Sequence, residues 1–212
     1  MATRIYLIRH GQSLGNKTKA FLGHTDLDLS NLGYQQAKKT AQYLTNYNID
    51  AVYSSDLIRA YNTCNEYLRL TGKTAIKDKR LREIFAGKWE QQTFEYLSEN
   101  FKSYQVWLND LGNARPDGGE SVAELEERVV AYMKELVLTN PEKSFAVFTH
   151  ATVIRAFVNY AYGNNLNDIK NLNWASNSSV SIVEYENENF TVKDYSIDHF
   201  LNDLATALPK NV

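Results

Sequence analysis

The stretch "YLIRHGQS", residues 6–13, decides how the rest of the chain is read. The segment Arg4–Arg9 is continuously apolar in its middle and β-branched at Ile5 and Ile8, the pattern of a strand buried on both faces. It then presents Arg9, His10 and Gly11 in succession. A buried strand that ends in a cation, an imidazole and a glycine points towards a binding edge.

Working outward, residues 10–29 are polar and punctuated by glycine, which predicts a loop. Ser30 then reads as an N-cap for a helix carrying Leu32, Ala37, Ala41 and Leu44 to about Tyr47. A second strand is expected at Ala51–Ser54, a helix at Asp56–Leu70 closed by Gly72, and a short strand at Ala75–Asp78. Two short aromatic helices are expected near 93–100 and 101–110. Ser121 and Glu124 form an S-x-x-E capping box, so a long helix should run from about Val122 to about Leu138. Ser144–Thr149 is a further apolar strand, residues 151–162 a helix, and Val180–Tyr185 with Phe190–Asp194 a hairpin around "ENEN".

Strands alternating with helices imply an α/β fold with a largely parallel sheet. In such sheets ligands bind at the carboxyl ends of the strands. Arg9 and His10, then Ser54, Ser55 and Arg59, then Thr149 and His150, all fall at such ends. There is no repeat, low-complexity tract or linker. A single domain over 1–212 is expected, with an irregular aromatic-rich insert at about 80–118.

Composition narrows the function. The chain has 212 residues, 43% hydrophobic and 23% charged, and a formal net charge of -2. That balance suits a globular protein with its own core, and it lacks the basic excess of a nucleic-acid binder. The lone Cys64 rules out an intrachain disulfide and favours a reducing compartment. The only early apolar run, Ile5–Ile8, is too short for a signal peptide, and nothing approaches the roughly 20 apolar residues of a membrane span. The expectation is a cytoplasmic protein without membrane or nucleic-acid partners; oligomeric state is not legible.

Two arginines and two histidines at one crevice suit phosphoryl chemistry. Guanidinium forks match phosphate oxygens, and a histidine can act as nucleophile or donor. The reaction needs an in-line nucleophile and positive charge around the equatorial oxygens. His10 could attack, Arg9, Arg59 and His150 could bind, and Gly11 would leave room for the phosphate against the backbone. A carboxylic acid must also protonate the leaving oxygen; Glu83 and Glu90, both in "LREIFAGKWE", are candidates that spacing alone does not separate. A metal site built from His10, His24 and His150 is disfavoured, because no pair has ligand spacing and the arginines would repel a cation.

At this point the chain resembles the histidine phosphatase superfamily, the phosphoglycerate mutase-like family. "LIRHGQSLGN" (7–16) is similar to its opening motif, "DLDLSNLGYQQA" (26–37) to its next segment, and "VYSSDLIRAYNT" (52–63) to its second-arginine motif. "LREIFAGKWE" (81–90), "PDGGESVAELEERV" (116–129), "VFTHATVIRA" (147–156) and "NSSVSIVEY" (177–185) follow in the family's order. The resemblance implies a three-layer α/β/α sandwich around a mixed six-stranded sheet with one antiparallel strand. It implies His10 as the phosphorylated nucleophile, Arg9, Arg59 and His150 as phosphoryl ligands, and Glu83 as proton donor and acceptor. Asn16 matches a position lining the phosphate pocket, and neither metal nor cofactor is implied. The implied activity is a phosphomonoesterase acting on a small phosphorylated metabolite. A phosphoglycerate mutase using the same residues is the alternative, and a silent phospholigand-binding domain a third reading. "EIFAGKWE" is closer to the phosphatase branch. One departure stands out: Ala151 and Thr152 follow the second histidine where the family usually has glycine. Alanine is harmless there if residue 151 opens a helix, whose amides would then face the phosphate.

Overall fold

The computed structural model describes residues 2–206. Strand β1 (Thr3–Arg9) lies in a six-stranded sheet with β2 (Ala51–Ser54), β3 (Ile76–Lys77), β4 (Ser144–Thr149), β5 (Val180–Glu186) and β6 (Asn189–Ile197), in the order β3-β2-β4-β1-β5-β6. β3, β2, β4 and β1 pair in parallel, whereas β5 pairs antiparallel with both β1 and β6. Among the described residues β5 alone therefore runs against the others.

Alternation along the central strands sets the layers. Tyr6, Ile8, Ala146 and Phe148 face one side, with Ala41 and Leu44 of α2 (Asn31–Leu44) and Cys64 and Tyr67 of α3 (Ile58–Thr71). Ile5, Leu7, Phe145 and Val147 face the other, with Val129 and Met133 of α6 (Val122–Thr139) and Ile154 and Phe157 of α7 (Ala151–Ala161). The result is the three-layer α/β/α arrangement. Strand residues apolar on both sides belong in a sheet covered on both faces.

Local chemistry accounts for most boundaries. Ser30 accepts from the Gly33 amide and opens α2. Gly72, at φ 70°, closes α3 in the left-handed conformation that glycine adopts without strain. Ser121 and Glu124 make the reciprocal bonds of a capping box. The hairpin turns at Asn187 and Glu188, both with positive φ, which matches the twist of two-residue turns.

Departures from the sequence reading are local. The loop over 10–29 contains a one-turn helix, α1 (Leu14–Lys17), because Ser13 caps the Asn16 amide and the Asn16 side chain returns the bond to the Ser13 amide. The third helix starts at Ile58 rather than Asp56, since the Asp56 carboxylate is engaged by Arg82. α2 stops at Leu44, short of Tyr47. Helices α4 (Phe94–Asn100) and α5 (Lys102–Asn109) form as expected, and their buried Leu97, Tyr104 and Trp107 join the same apolar cluster as α6 and α7. The aromatic segment is thus continuous with the main core.

Removing the α6 cap tests this account. Ser121→Ala should destabilise the fold by about 1 kcal/mol, read from urea unfolding, while the unfolding slope stays unchanged.

Candidate functional site

Register brings the two histidines together. β1 and β4 pair with Arg9 opposite Thr149, so the next residues, His10 and His150, leave the sheet side by side. Their ring centroids lie 5.2 Å apart. Ser54 sits opposite Phe148, which places Ser55 at the same edge.

Each group is held by its own neighbours. His10 Nδ1 lies 2.7 Å from the Gly11 carbonyl, an acceptor, so Nδ1 carries the proton and the Nε2 lone pair is left for chemistry. The His10 carbonyl accepts from the Asn177 side chain and the Ser178 amide. His150 Nε2 lies 2.8 Å from Ser55 Oγ, and that oxygen already accepts from the Leu57 amide. With the Ser55 hydroxyl donating to Nε2, His150 Nδ1, which is buried without a protein partner, carries the ring proton. Arg9 Nη1 donates to the Ala175 carbonyl at 2.6 Å. Arg59 reaches from α3 and donates to the carbonyls of Thr25 and Gly23, both at 2.8 Å.

Glu83 lies in the same cleft, its Oε1 accepting from the Ile84 amide at 2.9 Å and its Oε2 from the Thr152 amide at 3.2 Å. An ion pair with Arg80 or Arg82 does not form, because Arg80 binds Asp78 and Glu135 and Arg82 binds Asp56. Arg128 of α6 fixes this segment by donating to the carbonyls of Arg80 and Arg82. Glu90 is used differently: it accepts from the amides of Gly23, His24, Thr25 and Ala86 and from the Thr25 hydroxyl. Burial opposes its charge, yet these bonds outweigh it and hold the carboxyl below its usual range. Glu90 shapes the loop that Arg59 grips.

Three expectations need adjustment. The space left by Gly11 is filled by α2: a Cβ there would meet the Gly33 carbonyl oxygen at 2.5 Å, so the glycine permits a backbone approach rather than a phosphate contact. Ala151 does open α7, with His150 as its N-cap at φ -127°, so alanine is unstrained. One α7 amide, that of Thr152, is given to Glu83 instead of facing an anion. Asn16 lines the cleft, but its carbonyl is spent on the Ser13 amide and Asn177, leaving the NH2 group as its free donor. His24 lies at the rim and donates its Nε2 proton to the Glu83 carbonyl, 3.0 Å away. His199 is exposed. Ser55 falls at a strand end as the sequence reading places it, whereas Asn177, Phe21 and Trp174 were not singled out from sequence; an asparagine just before a strand was the available signal for Asn177.

The electrostatics favour an anion and a neutral nucleophile. Burial, then Arg59 and Arg9, push His10 well below 6.5, and burial with Arg59 does the same for His150. Burial lowers both Arg9 and Arg59 to about 10, partly countered by Glu83, so both stay charged at neutral pH. Among the described residues no group of three or more His, Cys, Asp or Glu side chains is placed to hold a metal ion.

A fold of this topology with two strand-end histidines, two buried arginines and a facing carboxylate defines a phosphoryl-transfer class. The model of the histidine phosphatase superfamily (branch 1) matches residues 5–198, and the chain belongs to that family. It is 28% identical to phosphoserine phosphatase 1 of Hydrogenobacter thermophilus, over 99% of each chain. It is 30% identical to a protein of Erwinia tasmaniensis named "Probable phosphoglycerate mutase GpmB", over 86% of this chain and 85% of the other. A mycobacterial glucosyl-3-phosphoglycerate phosphatase, solved in complex with VO3, superposes with a TM-score of 0.86 at 27% identity, covering 92% of this chain and 99% of the other.

The depressed imidazoles have a signed consequence. The folded chain binds fewer protons than the unfolded one once the pH falls below 6.5, so this contribution to stability is full above 6.5 and lost on acidification. Nitrogen-15 NMR should show His10 and His150 still neutral at pH 6, with His10 as the Nδ1–H tautomer; a charged His10 at that pH would contradict the site described.

Proposed function

We propose that the chain is a phosphomonoesterase that passes its phosphoryl group through His10, with residues 1–212 acting as one domain and the 80–118 segment as part of the cleft wall. The observation that carries this is the pairing of a neutral His10, its Nε2 lone pair unspent, with two buried guanidiniums. In this reading a substrate phosphate enters between Arg9 and Arg59, and His150 Nδ1–H donates to one of its oxygens. His10 Nε2 attacks phosphorus as the ester oxygen leaves opposite it. Positive charge held in a desolvated site stabilises the equatorial oxygens as they gain charge. Glu83 gives its proton to the departing alkoxide, and the resulting carboxylate then takes a proton from the water that cleaves the phosphohistidine. Asn16 contributes a neutral donor at the pocket edge.

Support for the phosphatase over the mutase comes from the named phosphatases among its relatives and from the cleft itself, whose outer walls are aromatic. The substrate is a small phosphorylated metabolite, and the protein needs neither metal nor cofactor for the steps above. A cytoplasmic location is consistent with the single buried thiol of Cys64.

The test is a panel of phosphorylated metabolites assayed for both phosphate release and isomerisation, in excess chelator. Phosphate release is expected; isomerisation without release would instead establish a mutase, and activity abolished by the chelator would remove the mechanism. His10→Ala should cost several orders of magnitude in kcat. Glu83→Gln should slow esters with basic leaving groups far more than aryl esters, and equal slowing would argue against its acid role.

A further inference from the structure

We infer that the leaving-group side of the cleft is built for a neutral alcohol with an aromatic or apolar body and selects against carboxylate-bearing alcohols, with Trp174 as the residue that sets this choice. The inference rests on the phosphomonoesterase reading and narrows its substrate class.

The cleft is lined by apolar as well as charged residues. Beyond the clamp its wall is Phe21, Phe94, Trp107 and Trp174. These rings form one surface: Phe21 meets Trp107 edge-on at 5.1 Å and Phe94 at 6.3 Å, and Trp107 stacks with Trp174 at 6.1 Å and 19°. Apart from Arg9, His10, Arg59 and Glu83, the residues lining the cleft are neutral, Ser13, Asn16 and Thr152 among them, and Trp107 Nε1 is buried without a partner. A carboxylate placed there would lose water and gain no counter-charge, while sharing the cleft with Glu83.

One cation lies close behind the wall. Arg155 is on α7, one turn beyond Ala151 and Thr152, which both line the cleft. Its guanidinium lies against the Trp174 ring, Cζ 4.1 Å from the centroid. Arg155 is buried, its Nε has no hydrogen-bond partner, and its Nη2 has only a long contact of 3.4 Å to the Lys170 carbonyl. Trp174 thus presents an apolar face to the cleft and spends the Arg155 charge on its own ring. Without the indole, that charge would be available to a carboxylate.

The experiment compares kcat/KM for 2-phenylethyl phosphate, ethyl phosphate and O-phospho-L-serine, all esters of aliphatic alcohols. The wild-type protein should prefer the phenylethyl ester over both others by about tenfold or more. Trp174→Ala should reverse the phenylethyl-to-phosphoserine preference by raising turnover of phosphoserine. Phe94→Ala, which removes wall without uncovering Arg155, should lower the phenylethyl-to-ethyl ratio and leave phosphoserine poor. A wild-type protein that prefers phosphoserine, or a Trp174→Ala variant with unchanged ratios, overturns the inference while leaving the phosphatase standing. Absence of hydrolysis of every ester, p-nitrophenyl phosphate included, overturns the phosphatase reading and this inference with it.

Discussion

Positive charge gathered in a desolvated space is the constraint on which the site depends. Arg9 is 6% exposed and Arg59 1%, and the two imidazoles beside them are buried as well. Burying guanidiniums is costly unless something answers their charge. Backbone carbonyls of Thr25, Gly23 and Ala175 answer part of it, and Glu83 lies near enough to both to oppose the cost of burial. A single carboxyl group set against two guanidiniums leaves the pocket with a net demand for an anion. Burial first, and the same excess after it, keeps His10 and His150 neutral. Anion affinity and a free nucleophilic lone pair therefore both follow from cations held in a desolvated space.

The fold serves this constraint through register and a few close approaches. Parallel pairing of β1 with β4 puts both histidines at one edge. Gly11 and Gly33 allow the start of α2 to press against the loop after β1; a Cβ on Gly33 would meet the Gln12 carbonyl oxygen at 2.1 Å. The Gly11 amide is tied to Thr63 of α3, and the His10 carbonyl to Asn177 and Ser178 before β5. Thr149 Oγ1 binds the Leu81 carbonyl, which links β4 to the segment carrying Glu83. Chain segments distant in sequence thus fix one another around the reacting atoms, as a preorganised site requires.

Most of the fold was legible because its signals are local. Ser30, Ser121 with Glu124, Gly72 and the apolar strands each act through nearby residues, and these elements form close to where the sequence places them. The strand-end clustering of Arg9, His10, Arg59 and His150 was legible for the same reason. What sequence did not separate was Glu83 from Glu90, since both are acidic and lie in one irregular segment. Their difference arises from tertiary hydrogen bonding: Glu90 is consumed by the amides of the 23–25 loop, whereas Glu83 faces the cleft. Phe21 and Trp174 were missed because a side chain joins an aromatic wall only after chain separated by some 150 residues is folded together. The role of Gly11 was misassigned for a related reason, as its neighbour belongs to α2.

The central claim is that His10 Nε2, neutral and surrounded by buried cations, takes the phosphoryl group. Mixing the protein with a phosphate ester, quenching in alkaline denaturant where phosphohistidine survives, and mapping the modified peptide by mass spectrometry tests it directly. Phosphate on His10, absent from the His10→Ala variant, is the predicted result. Turnover with no phosphorylated His10, or with the label on another residue, would contradict the account.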